Sequence, residues 1–230
     1  MEFSPFGAFP PNDSAAFSSW KAAVLLSGAK CYASGMTLTP SFRSAVRLVA
    51  VLNLAYFGVE MAVALKIGSV SLLADSADFF EDAAVNLLIL AALGWSASRR
   101  AKVGGALAAI LLAPAVAFLW TLWRKVGDPT PPEALSLGVT GLGAMAVNLF
   151  CAFTLVRHRG AAGSLSKAAF LSARNDVLAN IGIVAAGLLT AATRSIWPDI
   201  VVGLAIAIMN LDAAREVWEA AREDAKDAHS

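Results

Sequence analysis

Residues 71–90 read SLLADSADFFEDAAVNLLIL. The stretch is apolar enough to enter a bilayer, yet it contains four acidic residues, Asp75, Asp78, Glu81 and Asp82. In a helix, Asp78, Asp82 and Asn86 follow one another at intervals of four residues and share one stripe of one face. Carboxylates at membrane depth are costly and therefore indicate a functional site. The rest of the chain must then form a membrane protein around them.

The composition is that of a membrane protein. Of the 230 residues, 58% are hydrophobic and only 15% are charged, against about 25% charged in soluble domains. The net charge of +1 gives no electrostatic reason to expect nucleic-acid binding. The two cysteines, Cys31 and Cys151, form no disulfide framework.

Six apolar blocks divide most of the chain, at about 44–68, 69–97, 103–123, 135–156, 167–192 and 200–218. At about 1.5 Å per residue, each block covers the roughly 30 Å hydrocarbon core of a bilayer. We therefore expect an all-α polytopic protein with six transmembrane helices. Its predicted parts are a largely disordered or interfacial tail (1–43), the membrane domain (44–221) and a short charged tail (222–230). Met36 is an alternative start, which leaves open whether residues 1–35 are translated.

Lys and Arg residues are unevenly divided between the two ends of these blocks. At one end lie the residues before the first block, the loops between blocks 2 and 3 and between blocks 4 and 5, and the C-terminal tail. These segments hold most of the basic residues. The other end has only Lys66, Arg124, Lys125 and Arg194. Because positive loops stay in the cytoplasm, both termini are predicted to be cytoplasmic.

The fifth block repeats the polar stripe of the second. Ser172, Asp176 and Asn180 again lie four residues apart. If the two helices pack side by side, Asp78, Asp82 and Asp176 surround one point, with Ser172 as a fourth oxygen. Such a set suits a divalent cation, and its oxygen ligands favour harder ions such as Mn²⁺ over Zn²⁺. Without the cation the carboxylates repel one another, so protons should enter when the metal leaves.

These residues resemble a known family. The run SVSLLADSADFFED (69–82) looks like the second-helix signature of the cation diffusion facilitator family, and RNDVLANIG (174–182) is similar to its fifth helix. The resemblance covers roughly residues 43–221. It implies a carrier that exports a divalent metal ion (zinc, cobalt, manganese or cadmium) from the cytoplasm in exchange for protons. It also implies a homodimer in the lipid bilayer, here in a bacterial inner membrane, with no prosthetic group.

The sequence departs from the family pattern at three points. Ser172 stands where the fifth helix usually has His or Asp, which leaves Ser172, Asn175, Asn180, Asn53 or water to complete the metal shell. A histidine-rich 4–5 loop is absent, and only His158 lies there. The soluble C-terminal domain is absent as well, so the pattern resembles a short branch of the family.

Several other polar residues have two interpretations each. Asp75 is either an N-terminal charge favourable to the helix dipole or part of an exit path. Glu60 is either a packing residue or a proton relay, and Glu81 is predicted to pair with Arg174. Asn86, Asn148 and Asn180 are interpreted as hydrogen-bonding residues between helices.

Two other classes of function compete with the carrier. One is an intramembrane metalloenzyme, because carboxylate-held metals also activate water. No HExxH motif is present, and the predicted site contains no His or Lys to move protons. The other is a metal-free membrane scaffold whose carboxylates line a packing seam. A secondary transporter is the preferred interpretation.

Overall fold

The computed structural model describes residues 40–92, 114–158 and 163–210. Within these ranges the chain is helical and contains no strand. We number the helices α1 (Pro40–Ile67), α2 (Val70–Ala92), α3 (described over 114–127), α4 (Ala134–His158), α5 (Gly163–Thr193) and α6 (Trp197–Asn210). The predicted all-α fold is confirmed, and each predicted block overlaps one of these helices.

The helix boundaries differ from the predicted blocks by a few residues. α1 begins four residues before the predicted position, at Pro40, and α6 begins at Trp197 rather than at residue 200. Proline fits the start of a helix because the first N–H groups have no partner within the helix. Residues 1–39 of the predicted tail 1–43, the 2–3 loop and the chain after residue 210 lie outside the described residues.

The turn between α1 and α2 is only two residues long. Gly68 adopts a left-handed conformation with φ of 65°, which glycine reaches without steric cost. The amide of Ser69 then donates to the carbonyl of Ala64 at 3.0 Å, and the Ser69 hydroxyl accepts from the amide of Leu72 at 3.2 Å. One residue thus closes α1 and caps α2, so the two helices run antiparallel side by side.

Residue Glu133 caps α4 in a similar way. Its carboxylate accepts hydrogen bonds from the amides of Leu135 and Ser136 at 3.1 and 2.8 Å. The hydrogen bonds from Ser136 lower the pKa of the Glu133 carboxyl from its ordinary value. This cap fixes the start of α4 immediately after the loop that carries Pro131 and Pro132.

The helices pack in two antiparallel pairs, α1 with α2 and α4 with α5, and α1 also packs against α4. Small residues allow the closest approaches. A Cβ atom at Gly187 of α5 would lie 3.1 Å from the amide nitrogen of Gly138 in α4, and one at Gly203 of α6 would lie 2.8 Å from the amide nitrogen of Ser71 in α2. α2 is thereby held in the middle of the bundle.

The outward surface of the helices is apolar. Among the described residues, three helices are long and apolar enough to cross a membrane, over Arg43–Ile67, Ala134–Leu155 and Asp176–Thr193. α2 is 23 residues long, but its four carboxylates reduce its apolar character. Large side chains such as Leu54, Leu188 and Ile208 are exposed, as expected for surfaces in contact with lipid.

Candidate metal site

Three carboxylates from two helices converge inside the bundle. Asp78 and Asp82 of α2 and Asp176 of α5 each offer an oxygen, and these oxygens lie within 4.8 Å of one another. Metal–oxygen bonds of about 2.1 Å place ligand oxygens about 3.4 Å apart in a tetrahedral shell. Small rotations of the side chains would therefore bring the three oxygens around one cation.

The helical repeat explains this convergence. Asp78 and Asp82 are one turn apart on α2 and so point to the same side. Asp176 lies in the middle of α5, which contacts α2 directly. Asp78 and Asp176 are buried, with 8% and 9% of their surface exposed, and Asp82 is partly buried. The predicted meeting of the two stripes is therefore present in the structure.

The asparagines of the two stripes bond along their own helices. The Asn86 amide donates to the main-chain carbonyl of Asp82 at 2.8 Å, and the Asn180 amide donates to that of Asp176 at 2.7 Å. In each of these bonds the acceptor is the carbonyl four residues earlier on the same helix, and the role of the asparagines between helices stays a prediction. The Asn180 Oδ1 atom is fully buried and has no hydrogen-bond partner among the described residues.

Several predicted residues cannot be placed in the site. Ser172 and Asn175 lie on the α5 helix beside Asp176, but their side chains are outside the described part of the chain, as is that of Arg174. The fourth ligand and the pairing of Arg174 with Glu81 therefore stay predictions.

A cleft adjoins the carboxylates. It is lined by residues of α2, α5 and α6, namely Asp75, Asp78, Asp176, Ala179, Ile206, Met209 and Asn210. Sequence reasoning did not include α6, because its residues show no acidic stripe. Asn210 donates to the Ala74 carbonyl at 3.2 Å, which holds α6 against α2 beside the cleft.

Asp75 lies in the second turn of α2 and is almost completely buried, with 1% of its surface exposed. The helix-dipole effect falls off after the first turn, so the interpretation of Asp75 as a dipole charge is wrong. Its carboxyl group lies beside that of Glu60 of α1, which is also fully buried. Neither Glu60 oxygen makes a hydrogen bond of good geometry with the described residues. Two enclosed carboxyl groups therefore lie next to the cleft.

Cys151 and Asn53 form a further buried contact near the carboxylates. The Cys151 thiol, on α4, donates to the Asn53 side-chain carbonyl on α1 at 3.6 Å. Cys151 is also close enough to Asp82 and Asp176 to be influenced by their charges. This contact links Asn53 to α4, and its role as a metal ligand stays a prediction.

Lys125 and Asp199 form a buried ion pair that the sequence did not indicate. The Lys125 Nζ atom lies 2.6 Å from Asp199 Oδ2 and donates to the Gly68 carbonyl at 2.6 Å. The Asp199 carboxylate also accepts hydrogen bonds from the amides of Val70 and Ser71, at 2.9 and 3.1 Å. The hydroxyls of Ser69 and Ser71 donate to the same carboxylate at 2.7 Å each. A carboxylate at the start of α6 thus caps the N-terminus of α2.

Comparison with known families agrees with this arrangement. Residues 46–223 match the family described as the cation efflux transmembrane domain. No curated relative matches the chain. The match spans the region from α1 to beyond α6 and includes every carboxylate discussed above. This family transports cations and is not a family of enzymes, and the chain belongs to it, as a member of the cation diffusion facilitators.

Proposed function

We propose that this protein carries a divalent metal ion across the membrane, and that Asp78, Asp82 and Asp176 bind the ion during transport. One observation supports the proposal most strongly: three carboxylate oxygens from two helices lie within 4.8 Å of one another in the bundle. Ionised carboxylates repel at such distances, so their convergence is expected where a cation or protons balance the charge.

Proton exchange follows from the same repulsion. When the metal leaves, the three carboxylates take up protons, and these are released when the next ion binds. Glu60 and Asp75 extend the row of carboxyl groups away from the metal ligands, and Asp75 lines the cleft. We assign this pair to the proton route. Export of metal from the cytoplasm, driven by inward proton movement, is the direction usual in the family.

Oxygen atoms near the three aspartates complete the shell. Ser172, Asn175, Asn180 or a water is the fourth ligand, and the buried Asn180 Oδ1 atom supports Asn180 among these. The transported ion is Zn²⁺, Co²⁺, Mn²⁺ or Cd²⁺, and an all-oxygen shell favours Mn²⁺.

The proposed orientation places the end with the α1–α2, α3–α4 and α5–α6 connections outside the cytoplasm. This assignment rests on the excess of Lys and Arg at the opposite end. Alternating access then moves α2 and α5 relative to their neighbours around the fixed site. We place the carrier in a bacterial inner membrane, as a homodimer whose exposed apolar side chains face lipid.

Calorimetric titration of the purified protein with the four metals tests the proposal. We expect binding that tightens from pH 6 to pH 8, with proton release revealed by buffers of different ionisation enthalpy. Asp176→Asn should weaken binding at least about tenfold. Asp128→Asn is the matched control, because Asp128 lies in the exposed α3–α4 loop. Absence of binding to every metal at every pH would exclude the carrier function.

A further inference from the structure

The N-terminus of α2 is completely enclosed by protein. Residues 69–73 are entirely inaccessible, and Ala74 is 4% exposed. Gly203 brings the α6 backbone so close to Val70 and Ser71 that no Cβ atom would fit between them. The cleft beside the aspartates begins at Asp75, directly after this enclosed segment. Within the described part of the chain, the route from the metal site along α2 to the α1–α2 end of the bundle is therefore closed at residues 69–74.

The contacts that close this end combine the apolar side chains of α2, which belong to the hydrophobic core, with a buried polar network. Asp199 receives hydrogen bonds from Lys125, Ser69, Ser71 and the amide of Val70. Lys125 also reaches the Gly68 carbonyl, so α3, the α1–α2 turn and α6 are all tied together. Asp199 is fully buried and Lys125 is 4% exposed.

We propose that Lys125, Asp199, Ser69 and Ser71 form a polar latch that closes the outer end of the transport path and opens to release the ion. The inference rests on the proposed function in two respects, the transport of an ion through the adjoining site and the orientation that places this end outside the cytoplasm. Lys125 and Asp199 are positioning residues in this account and do not touch the ion.

Polar contacts suit a closure that must open repeatedly. A buried ion pair loses the hydration of both charges, and this loss cancels much of their mutual attraction. When the latch opens, water solvates the separated groups, which offsets part of the cost of breaking their contacts. An apolar seal of the same area would lose its stabilisation on opening without such compensation.

Removing one partner of the ion pair changes the free-energy difference between the closed and open states. Lys125→Met leaves the Asp199 carboxylate enclosed without its cation, which destabilises the closed state while the open state can hydrate Asp199. Lys66→Met is the matched control, because Lys66 lies at the same end of the bundle and is exposed. Ser69→Ala removes one hydrogen bond to Asp199 and the cap on the Leu72 amide, and it is the milder variant because it leaves no buried charge without its counter-ion.

Cysteine accessibility measures the state of the latch without any metal. Ala179 lines the cleft, so we place a reporter there (Ala179→Cys) after replacing Cys31 and Cys151 with serine. Intact cells expressing the protein are treated with a membrane-impermeant charged methanethiosulfonate. We expect Lys125→Met to increase the labelling rate at least about tenfold. Lys66→Met should leave the labelling rate unchanged.

Two further variants complete the test: one checks the outer position of the latch, and the other replaces Lys125→Met if that variant does not fold. Thr130→Cys, in the exposed α3–α4 loop, should label in intact cells, and its failure to label would overturn the outer position of the latch. If Lys125→Met does not fold, Ser69→Ala replaces it, with Ser44→Ala in α1 as control and an expected increase of about threefold. Equal labelling in the folded latch variant and its control would overturn the proposal. Because labelling needs no metal, failure of the proposed metal binding appears in the calorimetric titration and not in the labelling rate.

Discussion

The Asn180 side-chain amide donates a hydrogen bond of 2.7 Å to the main-chain carbonyl of Asp176, one helical turn before it. Asn86 makes the same bond to Asp82 at 2.8 Å. The two halves of the candidate site therefore share one local motif, in which an asparagine braces the backbone of an aspartate. They differ in burial: Asn86 is 9% exposed, whereas Asn180 is fully buried and its Oδ1 atom has no partner among the described residues.

This difference predicts unequal effects of two matching substitutions. Asn180→Ala should weaken metal binding about tenfold, since it removes both the brace and an oxygen available to the ion or to a water bound to it. Asn86→Ala removes the brace from Asp82 and should weaken binding less than about threefold. Calorimetric titration at pH 7.5 measures both, and equal effects would exclude a role for the Asn180 oxygen.

The close approach of α6 to α2 predicts a strong dependence on Gly203. A Cβ atom there would lie 2.8 Å from the Ser71 amide nitrogen and from the Val70 carbonyl carbon, so Gly203→Ala should destabilise the protein by about 1–3 kcal/mol. The control is Gly58→Ala, because Gly58 is exposed on α1 and a Cβ there has no neighbour within 4 Å. Thermal unfolding in detergent should show a lower midpoint for the Gly203 variant alone. A midpoint equal to that of the control would contradict the packing described.

A pair of residues between α1 and α4 predicts non-additive effects. The Tyr56 hydroxyl donates to the Thr140 carbonyl at 2.6 Å, and a Cβ at Gly143 would overlap that hydroxyl. Gly143→Ala should therefore cost about 1–3 kcal/mol, and Tyr56→Phe about 0.5–1.5 kcal/mol. With the hydroxyl removed, the nearest ring atom to the added methyl group is Cζ, at 3.2 Å instead of the overlapping oxygen, so the double variant should be more stable than the sum of the two losses predicts by about 1 kcal/mol. Additive losses in unfolding experiments would show that the two residues do not compete for the same space.

Much of the fold follows from short-range patterns. The apolar runs and the glycine at position 68 predict the helices and the first turn, and helix ends shift by a few residues because prolines at positions 40 and 198 begin helices early. The stripes of Asp78, Asp82 and Asp176 could be predicted because residues four apart share a helix face. The family indicated by these motifs is confirmed over residues 46–223.

The remaining contacts join residues that are far apart in the sequence. Lys125 and Asp199 are separated by 74 positions, and nothing in their local sequence distinguishes them from other residues near helix ends. The pairing of Glu60 with Asp75 depends on the relative rotation of α1 and α2, which the tight turn determines. The contribution of α6 to the cleft depends on Gly203, whose role becomes visible only beside Val70 and Ser71.

Metal flux in proteoliposomes under an imposed pH gradient tests the central claim most directly. The wild-type protein is compared with Asp82→Asn, and with Asp128→Asn as control, across Mn²⁺, Co²⁺, Zn²⁺ and Cd²⁺. We predict that the wild type and the control move at least one of these ions, faster with the gradient than without it. Asp82→Asn should lose at least about 90% of this flux, because one of the three converging carboxylates loses its charge. Flux through Asp82→Asn equal to that of the wild type would contradict the account.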